Sequence, residues 1–306
     1  MRAGHMKRVA PPFTRRPSGG PCRRCGAPEI PAFCLPAERP ASRITSPFIT
    51  GDFIPMSRII PLSKKAHAAL TFKALDDCSF AASMTTMPLL PFEVPDAARC
   101  FPVIFPDARN AVPHALLGLG DRNVFVDTKG RWTASYLPLM AANHPFSLIE
   151  ARFSEGADDE AEKSEIALAI EEDAPHFHQK DGLPLYGPDG EPTELLRGVM
   201  NAMASQYRRH RACEKALAEL ALHGALRERV LGVRRGNGKE RRVGGLRCAD
   251  RAAIMALPEA TLGQWVKNGL MEMLFAHWHS LRHLQTLLDD PSCPEPAPAA
   301  GGKKKR

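Results

Sequence analysis

Four groups of side chains in this sequence have types and spacings that could do chemistry. In EEDAPHFHQKDG, His176 and His178 flank Phe177, with Glu171, Glu172, Asp173 and Asp181 close by. On a strand an H-x-H pair points both rings to one face. Two imidazoles among carboxylates could hold a divalent metal or act as acid and base. The candidate catalytic set is therefore His176, His178, Asp173 and Asp181. The competing account is a polar loop between a strand and the next turn. It is preferred because this spacing alone fixes no ligand geometry.

A second set, Glu272, His279 and His283, falls on one face if residues 270–288 form a helix, since offsets of 7 and 11 return to a similar angle. His279 and His283 stand four apart, as metal-binding histidines on a helix do. That face lies opposite the leucine stripe, so a solvated face is the preferred account. His277 is different: it sits inside the apolar stripe and is expected to be a core histidine with one hydrogen-bond partner. A third set is Cys22, Cys25 and Cys34, a C-x-x-C with a third cysteine further on. Zinc takes four ligands, usually from two such pairs, so this is half a site. The fourth is basic. Arg227, Arg229, Arg234, Arg235, Lys239, Arg241, Arg242, Arg247 and Arg251 crowd one expected hairpin. Guanidinium forks suit phosphate or carboxylate, but no aromatics interleave to stack bases. A solvated hairpin is preferred to a nucleic-acid site. No phosphate loop, dinucleotide fingerprint, G-x-S-x-G elbow or H-E-x-x-H is found, and no cofactor is expected.

The elements that must position these groups divide along the chain. Residues 1–55 hold ten Pro and five Gly without periodicity, a composition that buries too little apolar surface to fold. Two readings stay open: a disordered basic extension, or a start codon set too far upstream, with Met56 the true start. Residues 58–153 read as β-rich. Ile59, Ile60 and Leu62 give a short strand, Phe101–Phe105 an edge strand interrupted by Pro102, and His114–Leu119 a further apolar run. Asn123–Trp132, NVFVDTKGRW, reads as a hairpin turning at Asp127–Gly130. Phe146–Ile149 and the alternating Ile166, Leu168 and Ile170 read as a second hairpin with an acidic tip.

Helices follow. Thr193 can cap one carrying Leu196, Val199, Met200, Met203, Tyr207, Leu217 and Leu220 at helical spacing, stopped by Gly224. Val230–Val243 reads as a hairpin, Pro258–Gly269 as a short helix and Leu270–Leu288 as one longer helix. Residues 289–306 form a tail. The fold class is α+β: an antiparallel, β-rich N-terminal half with hairpins, then an α-helical C-terminal half. No internal repeat is visible.

Charge narrows the function classes. Residues 1–55 carry 9 Lys/Arg against 3 Asp/Glu, whereas 56–288 carry 28 of each. The formal charge of +7 is therefore a property of the ends and gives little reason to expect a nucleic-acid partner. No run nears the roughly 18 apolar residues of a membrane helix. No apolar stretch follows the basic N-terminus as a secretory signal requires. The expectation is a soluble, cytoplasmic protein without a membrane span. Eight cysteines are too sparse for a disulfide scaffold; Cys78, Cys100, Cys213 and Cys248 are expected to act as small buried hydrophobes.

The segments NVFVDTKGRW and SYLPLMAANHPF, LYGPDGEPTELL at 185–196 and HSLRHLQTLL at 279–288, in this order and spacing, resemble the SapC family of bacterial proteins. The resemblance runs from about Met56 to Leu288. It implies association with the bacterial surface layer, or S-layer, or with outer-membrane uptake systems, and supplies no catalytic residues. The expected function is that of an accessory protein that binds a partner protein, with catalysis not expected. Two alternatives stand beside it: a metal-dependent enzyme using the 171–181 histidine and carboxylate cluster, and nucleic-acid binding through the 227–251 hairpin.

Overall fold

A computed structural model describes residues 43–45, 59–107, 109, 111–153, 163–234 and 240–290. In chain order these form β1 (Arg43–Thr45), β2 (Ile59–Pro61), α1 (Lys64–His67), β3 (Thr71–Phe72), β4 (Thr86–Pro88), α2 (Val94–Ala97), β5 (Val103–Ile104) and β6 (His114–Leu116). Then come α3 (Leu139–Asn143), β7 (Phe146–Phe153), β8 (Lys163–Glu171), β9 (Leu183–Pro184), α4 (Glu194–Leu222), β10 (Leu226–Arg234) and β11 (Glu240–Ala249). The chain closes with α5 (Arg251–Met255), α6 (Glu259–Lys267), α7 (Leu270–Ser280) and α8 (Leu284–Asp289). Antiparallel sheets dominate the first half and helices the second, so the class is α+β. The described residues form two compact units: those up to 75 with those of 142–208, and those of 76–141 with those from 209 onward.

The first unit is built on an antiparallel sheet of order β1-β7-β8-β2. β1 lies within the segment expected to hold no elements. The β7–β8 register pairs Phe146 with Ile170 and Leu148 with Leu168. Because side chains alternate along a strand, these four share one face. They pack there with Leu62, Phe72, Phe177, Leu185 and Tyr186 against Leu196, Val199 and Met203 of α4. The spacing of the last three is that of one helix face. Thr193 begins α4 as expected, its Oγ1 accepting from the Leu196 N–H at 3.5 Å. Gly224, at φ 58°, follows its end.

In the second unit, β6 lies between β4 and β5. β5 is thus the edge strand that Pro102 demanded. β10 and β11 pair as a ribbon with a register shift between Arg229 and Leu231. Leu246 and Cys248 of β11 meet Ile104, Leu116, Leu284 and Leu287 in a core. Cys78 and Cys248 are buried, Cys100 and Cys213 half-buried.

Two sequence expectations are corrected. Leu270–Leu288 is not one helix: α7 ends at Ser280, a 3-10 turn spans Leu281–His283, and α8 follows. The Ser280 hydroxyl donates to the His277 carbonyl at 2.6 Å, a back-bond that bends helices. It also accepts from the Val103 N–H at 2.9 Å. The NVFVDTKGRW arms form only a bridge between Val126 and Trp132. Asn123 diverts the entering arm, accepting from the Phe125 N–H and donating to the Ala81 carbonyl.

The turn itself recurs, which the sequence did not reveal. In Phe125–Thr133, Gly130 N–H donates to Asp127 O (3.0 Å), Asp127 N–H to Arg131 O (2.9 Å) and Thr133 N–H to Phe125 O (2.9 Å). In Leu185–Thr193, Gly190 donates to Gly187 (2.8 Å), Gly187 to Glu191 (2.8 Å) and Thr193 to Leu185 (3.0 Å). Both threonine hydroxyls repeat the last bond at 3.1 Å. Gly130 at φ 75° and Gly190 at φ 74° hold the left-handed position of this hairpin. Each unit contains one copy. The two nine-residue segments share only that glycine and the closing threonine.

Candidate functional site

The predicted catalytic set does not converge. Pro175 cannot donate to a strand ladder, and residues 175–177 form a 3-10 turn. His176 is buried and stacks on Phe72, centroids 5.9 Å apart and nearly parallel. His178 and Asp173 are exposed. Asp181 pairs with Lys73 at 2.7 Å, and the ammonium holds its carboxyl below the usual range.

What the structure gathers instead is Glu171, His176 and a residue the sequence reading had not placed in a site, His144. The β7–β8 register sets Phe146 opposite Ile170, so His144 just before one strand meets Glu171 at the end of the other. The Glu171 N–H donates to the Pro145 carbonyl at 3.0 Å, fixing that approach. His144 Nε2 lies 3.0 Å from Glu171 Oε2, and the His144 ring meets His176 edge-on at 5.1 Å. A carboxylate orienting an imidazole is the arrangement of an acid–base couple. The signal for it was the hairpin register rather than any local motif. An amide pair, Asn143 with Gln206, lies beside His144 in sequence, its bonds 2.6 and 3.2 Å long.

The second unit holds a buried carboxyl that sequence reasoning missed. Glu93 is 2% exposed. Its Oε1 accepts from the Tyr136 hydroxyl (2.8 Å) and the Leu139 N–H (2.7 Å), and its Oε2 from the Leu90 N–H (2.8 Å). Burial pushes its pKa up to about 7, while these three donors and the nearby Arg209 pull the other way. Arg209 lies over the Phe92 ring, 3.5 Å from its centroid. An acid inside the apolar run LLPFEVP was the available signal. His277 is the core histidine expected, with two partners rather than one. It is fully buried, with Nδ1 at 2.8 Å from the Val103 carbonyl and Nε2 accepting from the Ala249 N–H at 3.1 Å. The bonds set the tautomer, Nδ1 carrying the proton, and burial lowers the pKa to about 4.

The remaining candidates are placed as follows. Glu272 and His279 are exposed on α7, and the break at Ser280 removes His283 from their helical register. Among the described residues no three His, Cys, Asp or Glu side chains gather as a metal site would need. Cys22, Cys25 and Cys34 lie outside the described residues, as do the side chains of Arg234, Arg235, Lys239, Arg241 and Arg242. Of the other arginines, Arg227 and Arg229 both reach Asp250, at 3.5 and 2.9 Å. Arg247 donates to the Pro106 carbonyl at 2.7 Å. Arg251 lies over Trp278, 5.4 Å from the ring centroid. The aromatic partner absent from the hairpin sequence thus comes from α7. Trp278 donates to the Ala249 carbonyl at 2.9 Å and is met edge-on by Phe275 at 5.4 Å.

Large apolar side chains are exposed mainly in one stretch. Among the described residues of the second unit these are Leu222 (85%), Val230, Met255, Val266 (66%) and Phe275 (40%). Leu183 is their counterpart in the first unit. Trp265 joins the neighbours of two of them: its Nε1 donates to Glu219 at 3.1 Å and its ring meets His223 at 5.6 Å. No helix among the described residues is long and apolar enough to cross a membrane.

The family model described as SapC matches residues 62–287. No curated protein and no solved structure matches the chain.

Proposed function

The chain belongs to the SapC family, and from that premise we propose that it is an accessory protein of the bacterial surface layer or of outer-membrane uptake, working in the cytoplasm by binding a partner protein. The observation that carries the binding reading is that five of the six large apolar side chains exposed among the described residues, Leu222, Val230, Met255, Val266 and Phe275, belong to the second unit. Each offers apolar area that a partner can take out of water.

The test is capture from native lysate with the tagged full-length chain, compared across wild type, Val266→Asp and Leu183→Asp. A partner retained by wild type and Leu183→Asp but lost with Val266→Asp supports the reading. The same proteins recovered with all three would defeat it. Fractionation of cells by antibody detection tests the compartment.

A second reading, chemistry in the first unit, draws on the 3.0 Å His144–Glu171 pair beside His176. Here Glu171 and His144 work as an acid–base couple beside His176. A screen of hydrolytic activity with wild type and His144→Ala tests it, and turnover lost with the variant would favour it over partner binding alone.

A further inference from the structure

Trp278 ties two exposed side chains, Arg251 and Phe275, to the body of the second unit. Its indole N–H is tied to the Ala249 carbonyl, Arg251 lies over its ring and Phe275 meets its edge. Arginine, tryptophan and an adjoining apolar group are the residue types that anchor protein interfaces. Met255, exposed, stands four residues after Arg251 on α5 and so shares its side of the helix. The local charge is positive. Arg227 and Arg229 share one carboxylate, Asp250, whose Oδ1 also accepts from the Ala252 and Ala253 N–H groups. Arg251 and Phe275 already occupy the indole, which leaves it a poor platform for stacking a base. Exposed guanidinium donors beside an apolar patch suit carboxylates flanking an apolar side chain.

We propose that Arg251, Trp278 and Phe275, flanked by Arg227 and Arg229, dock an acidic segment of the partner protein. Its carboxylates meet the guanidinium groups and its apolar side chain lies against Phe275 and Met255. This rests on the partner-binding reading above and names the chemistry of the partner.

The experiment is fluorescence anisotropy on the full-length chain with three dye-labelled probes: a glutamate peptide with one central leucine, its lysine counterpart, and an oligothymidylate of equal charge. The variants are Arg251→Glu, Phe275→Ser and Leu183→Ser. The basic chain ends are common to all of them, so ratios between variants isolate the surface. Arg251→Glu is expected to weaken the glutamate peptide about tenfold, since truncating or reversing a paired interface charge acts strongly. Phe275→Ser should weaken it several-fold and Leu183→Ser not at all. An unchanged melting temperature in Arg251→Glu and in Phe275→Ser shows that folding is intact. Equal peptide affinity across variants overturns the proposal. Tighter oligothymidylate binding with the same variant dependence also overturns it, in favour of nucleic acid. If capture remains sensitive to Val266→Asp while Arg251→Glu changes nothing, this docking site fails and partner binding stands. If capture is insensitive to both, the function reading fails as well.

Discussion

Between about pH 4.5 and 6.5 two buried groups pull the stability of the second unit in opposite directions. Burial lowers His277 from 6.5 to about 4. A depressed pKa gives stability that is present above 6.5 and lost as pH falls toward 4. Burial raises Glu93 from 4.5 to about 7. A raised pKa gives stability that is present below 4.5 and lost as pH rises toward 7. Each shift is worth roughly 3 kcal/mol over its window, at about 1.4 kcal/mol per pH unit. The two slopes have opposite sign over nearly the same range, so they largely cancel each other in the wild type, leaving the slope of His114 and His283 of the same unit, which burial also lowers. Removing one group exposes the other. Glu93→Gln should lose stability as pH falls, by about 1 kcal/mol per pH unit or more, because His277, His114 and His283 then titrate unopposed. His277→Gln should lose stability as pH rises, with a shallower slope, because His114 and His283 still oppose Glu93. Each substitution also carries a fixed loss from its broken hydrogen bonds, which shifts the curve without tilting it. The assay is urea unfolding from pH 4.5 to 7 followed by tryptophan fluorescence. The chain has 3 Trp, and Trp132, Trp265 and Trp278 all lie in the second unit, so the signal reports on that unit. Slopes of the same sign in both variants, or two flat profiles, would refute the reasoning.

Three further perturbations separate the structural roles described above. Gly130→Ala forces a left-handed alanine against Ser79 and Asp77, whereas Gly190→Ala meets only the flexible end of Lys64. Losses of roughly 2–3 and 1–2 kcal/mol are expected, measured as shifts in urea midpoint; exchanging residues 127–131 with 187–191 should be tolerated far better than either. A double-mutant cycle of His144→Ala and Glu171→Ala should show a coupling of about 1–2 kcal/mol, since the pair is largely buried and shares one bond; circular dichroism melts that add within 0.3 kcal/mol would show the two do not act together. Leu168→Ala, in the core under α4, should cost about 2–5 kcal/mol in the same melts.

What could be read in the sequence was what depends on local pattern. Ile166, Leu168 and Ile170 alternate because they share the face of β8 that packs under α4, while the small Ala167 and Ala169 pack with Ile149 on the other face, and Leu196, Val199 and Met203 recur because they share one face of α4. The turn at Asp127–Gly130 was readable from its glycine. What escaped were features set by pairs distant in sequence. His144 and Glu171 meet only through strand register, and Glu93 finds Tyr136 and Leu139 more than forty residues away. The break after Ser280 follows from a hydroxyl that also serves Val103, 177 residues earlier. The twin hairpins escaped for another reason. Backbone geometry demanded only a glycine and a threonine in each, too little for a repeat in letters to show.

Three buried polar groups of the second unit, Glu93, His277 and Ser280, share one use. Glu93 joins the Leu90 turn to the segment before α3; His277 and Ser280 join α7 to β5, and His277 also to β11. Trp278 adds a bond from α7 to the end of β11. Their longer-range bonds cross between elements that hydrophobic contact alone would let slide, and matched buried polar groups favour one arrangement over its neighbours. That fixes the positions of Arg251 and Phe275 without using either side chain, since both meet the ring of Trp278, whose N–H is tied to Ala249. A docking surface needs that division. The groups that hold α7 in place face inward, and the groups left to meet a partner face outward on the same short helix, so Phe275 can change without disturbing His277. Phe275→Ser should therefore alter partner binding while the pH profile of unfolding keeps its wild-type shape, whereas His277→Gln should tilt that profile and leave partner affinity at neutral pH within about twofold.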